Sequence, residues 1–313
     1  YFPPIEPHDH GMLDVGDGHR IYWEIVGNPS GSPVVFLHGG PGSGASPGQR
    51  RLFDPERYRA VIFDQRGSGR SRPLADDSST DLSTNTTPDL IADIERLRSH
   101  LAIEAWTVVG FSWGTTLALA YATAHAERVT GMVLGLVGLT TRREVTWLTE
   151  GVGRLFPEQW TRFVEAVPGP FERMPLVDAY AEMLQGADPA LRDHAAREWC
   201  AWEDAHVSLG PNSRPSPAFD DPAFRYRFAL VVTHYWRNAA FLDEHELWQG
   251  IERLGDTPGH LIHGRYDVSS PLETPWRIAR VWPGATLTVL DDIGHGDGDS
   301  FPTAVISALA DLG

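Results

Sequence analysis

Short, largely apolar runs recur along the chain, at 33–37, 60–63, 106–109 and 129–137, and strand texture returns at 259–267 and 286–290. The first four carry no helical stripe and do not alternate regularly with polar positions, which is the texture of strands buried on both faces of a parallel sheet. Ahead of them, residues 13–26 do alternate: Ile21, Trp23 and Ile25 fall on one side and Gly16-Asp17-Gly18 supplies a turn, predicting a hairpin. Two stretches carry a helical period instead. One begins at Thr87-Pro88, with a capping hydroxyl and a proline in the first turn, and repeats Leu90, Ile91, Ile94, Leu97 and Leu101 on one face. The other is the Ala/Leu-rich segment 113–125. The order hairpin, strand, strand, helix, strand, helix, strand predicts an α/β chain with a mostly parallel sheet flanked by helices.

At about residue 140 the pattern changes. Residues 140–255 are rich in Trp, Phe, Arg and Glu, show no clear buried strand, and read as helical at 156–160, 178–184 and 190–202. Strand texture then returns. The expected organisation is a core domain made of 1–139 and 256–313, with 140–255 inserted as a helical cap. The aromatics of that insertion (Trp147, Trp160, Trp199, Trp202, Trp236, Trp248) serve mainly as packing, with a few available as pocket walls.

Composition changes this picture little. At 313 residues with 42% hydrophobic and 22% charged positions, the chain has enough apolar surface for one large α/β domain with an insertion. No run approaches the ~20 apolar residues that span a bilayer, and Tyr1-Phe2-Pro3-Pro4 lacks the basic-then-apolar pattern of a leader. Cys200 is the one cysteine, so no intramolecular disulfide forms, and a cytoplasmic location is the expectation. The net charge of −16 argues against nucleic acid and anionic membranes as partners, since both bind through clustered Lys and Arg. His8-Asp9-His10 has no third ligand nearby and reads as a solvated tail, so no metal site is expected.

The chemistry centres on Gly110-Phe111-Ser112-Trp113-Gly114, a G-x-S-x-G between an apolar strand and a helix. A chain that turns from strand to helix within two residues strains the residue at the bend and presents Ser112 at the carboxyl edge of the sheet. The N–H groups that open the following helix favour a developing anion. The strand at 33–37 runs into His38-Gly39-Gly40-Pro41-Gly42, where glycine lets the backbone approach a ligand. Gly40 N–H and Trp113 N–H are the expected oxyanion donors. Asp64-Gln65-Arg66-Gly67-Ser68-Gly69-Arg70-Ser71 lacks the G-K-[ST] of a phosphate loop and reads as a structural turn that fixes nearby loops. Asp267 follows one late strand and His295 the next, at the same edge as Ser112. The order Ser112, Asp267, His295 is that of an α/β-hydrolase triad: His295 takes the serine proton, Asp267 orients the imidazole, and Ser112 forms an acyl-enzyme that water resolves.

Several longer motifs make the chain similar to the proline iminopeptidases (prolyl aminopeptidases). They are His38-Gly39-Gly40-Pro41-Gly42, Leu52-Phe53-Asp54-Pro55, Phe63-Asp64-Gln65-Arg66-Gly67-Ser68-Gly69-Arg70-Ser71, Asp93-Ile94-Glu95-Arg96-Leu97-Arg98, Ser112-Trp113-Gly114 and His263-Gly264-Arg265-Tyr266-Asp267. The resemblance covers nearly the whole chain. It implies an α/β-hydrolase fold with an inserted helical cap and a serine peptidase that removes N-terminal proline from a small or short-peptide substrate, with no metal or cofactor. It also implies that the acid of a W-x-x-W-E motif, here Trp199-Cys200-Ala201-Trp202-Glu203, binds the substrate's α-amine. That gives Glu203 and Trp202 as substrate-binding candidates. Three positions depart from the family's pattern. Val232 stands where a second cap glutamate is usual, Phe111 replaces the second glycine of G-G-S-W-G, and Leu134-Gly135-Leu136 replaces L-R-G. Phe111 and Val232 are therefore counted as substrate-contacting positions that make the site more apolar. Two other readings remain. One is an altered amidase, deacylase or esterase acting on a specialised metabolite; the other is a non-catalytic binder of a small ligand, against which an intact triad argues.

Overall fold

The computed structural model describes residues 1–207, 209, 214–296 and 298–313. Eight strands form one sheet: β1 (Asp9–Gly16), β2 (His19–Gly27), β3 (Ser32–Leu37), β4 (Tyr58–Phe63), β5 (Trp106–Phe111), β6 (Val129–Gly135), β7 (Gly259–Gly264) and β8 (Ala285–Leu290). Their spatial order is β1-β2-β4-β3-β5-β6-β7-β8. The hairpin β1–β2 adds antiparallel to β4, and every pairing from β4 onward is parallel. The apolar runs follow from this arrangement. In β3, Val35 and Leu37 enter one core and Val34 and Phe36 the other, so no position is free to be polar.

The helices in chain order are α1 (Thr87–His100), α2 (Trp113–Ala124), α3 (Arg142–Thr149), α4 (Pro157–Glu165), α5 (Leu176–Gln185), α6 (Pro189–Val207), α7 (Pro222–Arg237), α8 (Glu244–Arg253), α9 (Glu273–Val281) and α10 (Ser300–Leu312). Apolar faces of α1, α2, α8 and α9 build the first core, while α10 closes the second. Between β6 and β7 the described residues contribute helices α3 to α8 and no strand. The last of these returns to the sheet layer, with Gly250 so close to Thr123 of α2 that a Cβ there would lie 2.6 Å from its side chain.

Two local expectations are corrected. His8-Asp9-His10 is not a free tail: β1 begins at Asp9, and Asp9 and His10 pair with Ile25 and Glu24 across the hairpin. An edge strand open to solvent tolerates such polar residues, which hides it from a pattern search. The cap of α1 is Thr86 rather than Thr87; the Asp89 carboxylate accepts from the Thr86 N–H and hydroxyl, a reciprocal box at the helix start.

Candidate active site

Ser112 sits at the bend between β5 and α2 with φ 54° and ψ −123°, a left-handed conformation that a non-glycine residue adopts only under constraint. The positions two before and two after it must be glycine. A Cβ on Gly110 would lie 2.3 Å from the Gly114 carbonyl oxygen, and one on Gly114 would lie 2.1 Å from that of Leu37. The strand, the bend and the helix are thus locked by direct backbone contact.

Three loops at the carboxyl edge of the sheet bring Ser112, His295 and Asp267 into one hydrogen-bonded line. His295 Nδ1 lies 2.8 Å from Asp267 Oδ2, and His295 Nε2 lies 3.0 Å from Ser112 Oγ. An ionised carboxylate only accepts, so Nδ1 carries the ring proton and Nε2 presents its lone pair to the serine hydroxyl. The other oxygen of Asp267 accepts the Ser270 N–H at 2.9 Å. Asp267 is buried, which opposes its charge, yet His295, His263 and the Ser270 N–H hold its carboxyl below the usual range. His263, quoted in the sequence only as part of a family motif, braces this loop. Its Nδ1 accepts from Val137 N–H at 3.0 Å and its Nε2 donates to the Ser270 carbonyl at 2.6 Å.

Gly40 and Trp113 line the same cavity as Ser112 and His295. Gly40 has φ 112°, open only to glycine without strain, and Trp113 is the first residue of α2, where an N–H has no acceptor within its own helix. One side chain ties together the two segments that carry these N–H groups. Gln65 Nε2 donates to the His38 carbonyl at 2.9 Å while its Oε1 accepts from the Trp113 indole at 2.9 Å. Its backbone N–H also donates to His38 Nε2 at 3.0 Å. The turn at 64–71 therefore fixes the loop before Gly40 relative to the bend at Ser112. Asp64 anchors the turn itself, accepting from Ala45 N–H at 2.7 Å and from Arg70 Nε at 2.8 Å.

Helix α6 turns Trp199, Trp202, Glu203 and His206 inward, a spacing that puts all four on one face. Glu203 and His206 reach the cavity, which also has Val145, Leu148 and Trp236 in its wall. Glu203 is 8% exposed; burial pushes its carboxyl up to about 7, against the pull of His295. A wider cleft continues from Ser112 and Glu203 past Phe219, Phe224 and Phe228.

Three candidates are not found where the sequence reading puts them. Trp202 does not face the cavity: its ring stacks on Phe163 at 5.3 Å and its indole N–H donates to the Leu148 carbonyl at 2.9 Å. Phe111 points to the opposite face of the sheet, edge-on to Phe36 at 5.2 Å and Phe301 at 5.0 Å. It also explains Gly135, its register partner in β6, where a Cβ would lie 2.5 Å from the Phe301 ring and 2.9 Å from the Phe111 ring. The large residue on one strand and the missing side chain on the next are one packing solution. Val232 falls on α7 in the arc between Phe228 and Trp236, yet is wholly buried in the apolar core. Among the described residues, no group of three or more His, Cys, Asp or Glu is arranged to hold a metal, and no helix is long and apolar enough to cross a membrane.

Comparisons with known proteins give the family. Residues 32–300 match the α/β-hydrolase fold family. A Streptomyces coelicolor protein described as a probable proline iminopeptidase is 47% identical over 98% of this chain and 96% of its own length. The proline iminopeptidase of Xylella fastidiosa is 45% identical over 94% of this chain and 93% of its own. Among solved structures, the proline iminopeptidase of Mycobacterium smegmatis superposes with a TM-score of 0.67 at 18% identity, covering 97% of this chain and 98% of that one, a likeness of fold. This chain is an enzyme, a serine hydrolase, and it belongs to the proline iminopeptidase family of α/β-hydrolases.

Proposed function

We propose that this chain is a serine peptidase that releases N-terminal proline from small amides and short peptides. The observation that carries the reading is a buried carboxyl, Glu203, in the wall of the cavity into which Ser112 and His295 open. A simple esterase has no use for a buried acid there, whereas a substrate with a charged amine next to the scissile carbonyl needs one. The relatives' activity, stated in their names, points the same way.

In this mechanism Ser112 Oγ attacks the prolyl carbonyl as its proton passes to His295 Nε2, 3.0 Å away. Asp267 holds the imidazole in the required tautomer and stabilises the imidazolium. Gly40 N–H and Trp113 N–H stabilise the oxyanion, and Glu203 pairs with the ammonium. His295 then protonates the leaving amine, and a water activated by the same imidazole releases proline from the acyl-enzyme. The cap helices would exclude bulk solvent, with core 1–139 and 256–313 and cap 140–255 as the division we favour. We also assign a cytoplasmic location and small molecules or short peptides as the substrates.

A second reading is favoured by the apolar wall of the cleft at Phe219, Phe224 and Phe228. Along such a wall a substrate lacking an ammonium would be accommodated more easily, as in an amidase or esterase. A panel of L-prolyl, L-alanyl and simple acyl p-nitroanilides and p-nitrophenyl esters separates the two. Prolyl compounds leading in kcat/KM supports the peptidase. Neutral acyl compounds leading, with prolyl turnover near background, overturns it.

A further inference from the structure

Glu203 alone offers one acceptor group to an ammonium, and a prolyl terminus carries two N–H bonds. The position where the family's pattern supplies a second carboxylate is Val232, and its side chain accepts nothing. The cavity contains another acceptor. His206, three residues on along α6 from Glu203, is 1% exposed, lines the same cavity, and has an Nε2 with no hydrogen-bond partner among the described residues.

The protonation of that ring is set by its surroundings. Ser269 Oγ donates to the His206 carbonyl at 3.0 Å, which uses its one proton. The same oxygen lies 2.8 Å from His206 Nδ1 and can then only accept, so Nδ1 carries the ring proton and Nε2 is a bare lone pair. Burial, with His295 nearby, pushes the imidazole pKa down to about 3, which keeps this neutral form at working pH. His206 Nε2 and Glu203 Oε2 are 3.8 Å apart, too far to bond each other and near enough for one nitrogen to reach both. A buried acceptor of this kind is unfavourable until a donor arrives.

We propose that His206 Nε2 is the second anchor of the substrate's ammonium, so that one N–H of a prolyl terminus bonds Glu203 and the other bonds His206. The inference rests on the peptidase reading. It replaces a pair of carboxylates with a charged and a neutral acceptor, both carried by α6, and so accounts for an apolar residue at Val232. It also makes the loop after β7 part of specificity, because Ser269 lies two residues from Asp267 and orients the ring that reads the amine.

The test compares kcat/KM on L-proline p-nitroanilide with kcat/KM on p-nitrophenyl acetate, a neutral ester served by the same nucleophile. In His206→Phe, which keeps a ring beside Trp202 but has no acceptor, the prolyl-to-ester ratio is expected to fall at least tenfold, mainly through KM. His206→Gln, whose amide oxygen can accept, should regain most of it. Ser269→Ala leaves the ring in place but frees its tautomer, and should move the ratio the same way by a smaller factor. A ratio within threefold of wild type in His206→Phe, or equal losses in the Phe and Gln variants, overturns the proposal. So does an unmoved ratio in Ser269→Ala if the Phe variant does not fold. A wild type that hydrolyses the ester but no prolyl substrate overturns the peptidase reading, and this inference with it.

Discussion

Glu203 and Asp267 are both buried carboxyls within one site, and their surroundings push them in opposite directions. Asp267 has two histidines and a backbone N–H to hold its charge, and its pKa is lowered. Glu203 has burial working against its charge, and its pKa rises to about 7. The first is suited to a permanently ionised orienting group, the second to a group that becomes fully ionic when a cation enters. Three predictions belong to this scale. Asp267→Asn should lower kcat by about 10³–10⁴ on every substrate, because the imidazole loses both its tautomer and its counter-charge; steady-state kinetics on the prolyl and ester substrates checks it. Glu203→Gln should raise KM for the prolyl substrate at least tenfold, about 1.4 kcal/mol, and so lower the prolyl-to-ester ratio of kcat/KM. In the wild type, KM for the prolyl substrate should fall as pH rises through about 7, as Glu203 ionises in the presence of His206, His295 and Asp204 around it. A KM that is flat from pH 6 to 8, or that titrates unchanged in the glutamine variant, would remove Glu203 from amine binding.

At the scale of elements, the site depends on backbone junctions that side chains hold in register. Gln65 bridges the His38 carbonyl and the Trp113 indole, so Gln65→Leu leaves two buried polar groups without partners. It should cost about 1–3 kcal/mol by urea unfolding, and lower kcat about tenfold on prolyl and ester substrates alike while KM changes little, since the oxyanion donors lose alignment rather than the amine losing its anchor. Phe111 separates the same two kinds of effect. Phe111→Ala empties space between Phe36 and Phe301 and should destabilise by about 2–4 kcal/mol, whereas a residue lining the substrate pocket would change KM. A KM shift above threefold without loss of stability would return Phe111 to the substrate pocket. The strands and the bend were legible because a parallel sheet covered on both faces admits only apolar runs, and because a strand-to-helix bend of this tightness leaves glycine as the only option at Gly110 and Gly114. Helix α7 was not legible. Its residues 228–236 are all buried, so no polar stripe marks the helix, and Val231, Val232, Thr233 and Tyr235 carry strand preferences that tertiary packing overrides.

Across the whole molecule, residues far apart in sequence meet because both sheet edge and cap converge on one cavity. The order Ser112, Asp267, His295 could be read from the strands that precede each residue. The direction in which Phe111 or Trp202 points could not, since it depends on which face of a sheet or helix a neighbour has already filled. His206 was missed for a related reason: one histidine in a helix carries no motif, and only the approach of Ser269 from the loop after β7 gives it a defined tautomer. Helix α7 is held to residues 76–85 by polar contacts as well as apolar ones. Tyr235 donates to Asn85 Oδ1 at 2.7 Å, and Arg227 pairs with Asp76 at 2.6 Å. Closing the cavity in this way has a measurable cost at Glu203. Its folded-state pKa of about 7 lies above its usual 4.5, so folding takes up a proton between those values. The stabilisation is fully present below pH 4.5 and is lost as pH rises through 7, amounting to about 3 kcal/mol. Urea midpoints at pH 5 and pH 8 should therefore draw closer together in Glu203→Gln than in wild type; an equal gap in both proteins would mean that Glu203 is not buried in solution.

The central claim is that Ser112 is the nucleophile of a peptidase acting on N-terminal proline, and the most direct measurement is kcat/KM on L-proline p-nitroanilide for wild type and Ser112→Ala. The substitution removes one hydroxyl beside the cavity, so circular dichroism and the urea midpoint should match wild type. Wild type should turn the substrate over, and the variant should lose a factor of about 10⁴ or more. A folded Ser112→Ala that retains more than about a thousandth of the wild-type value would contradict the account.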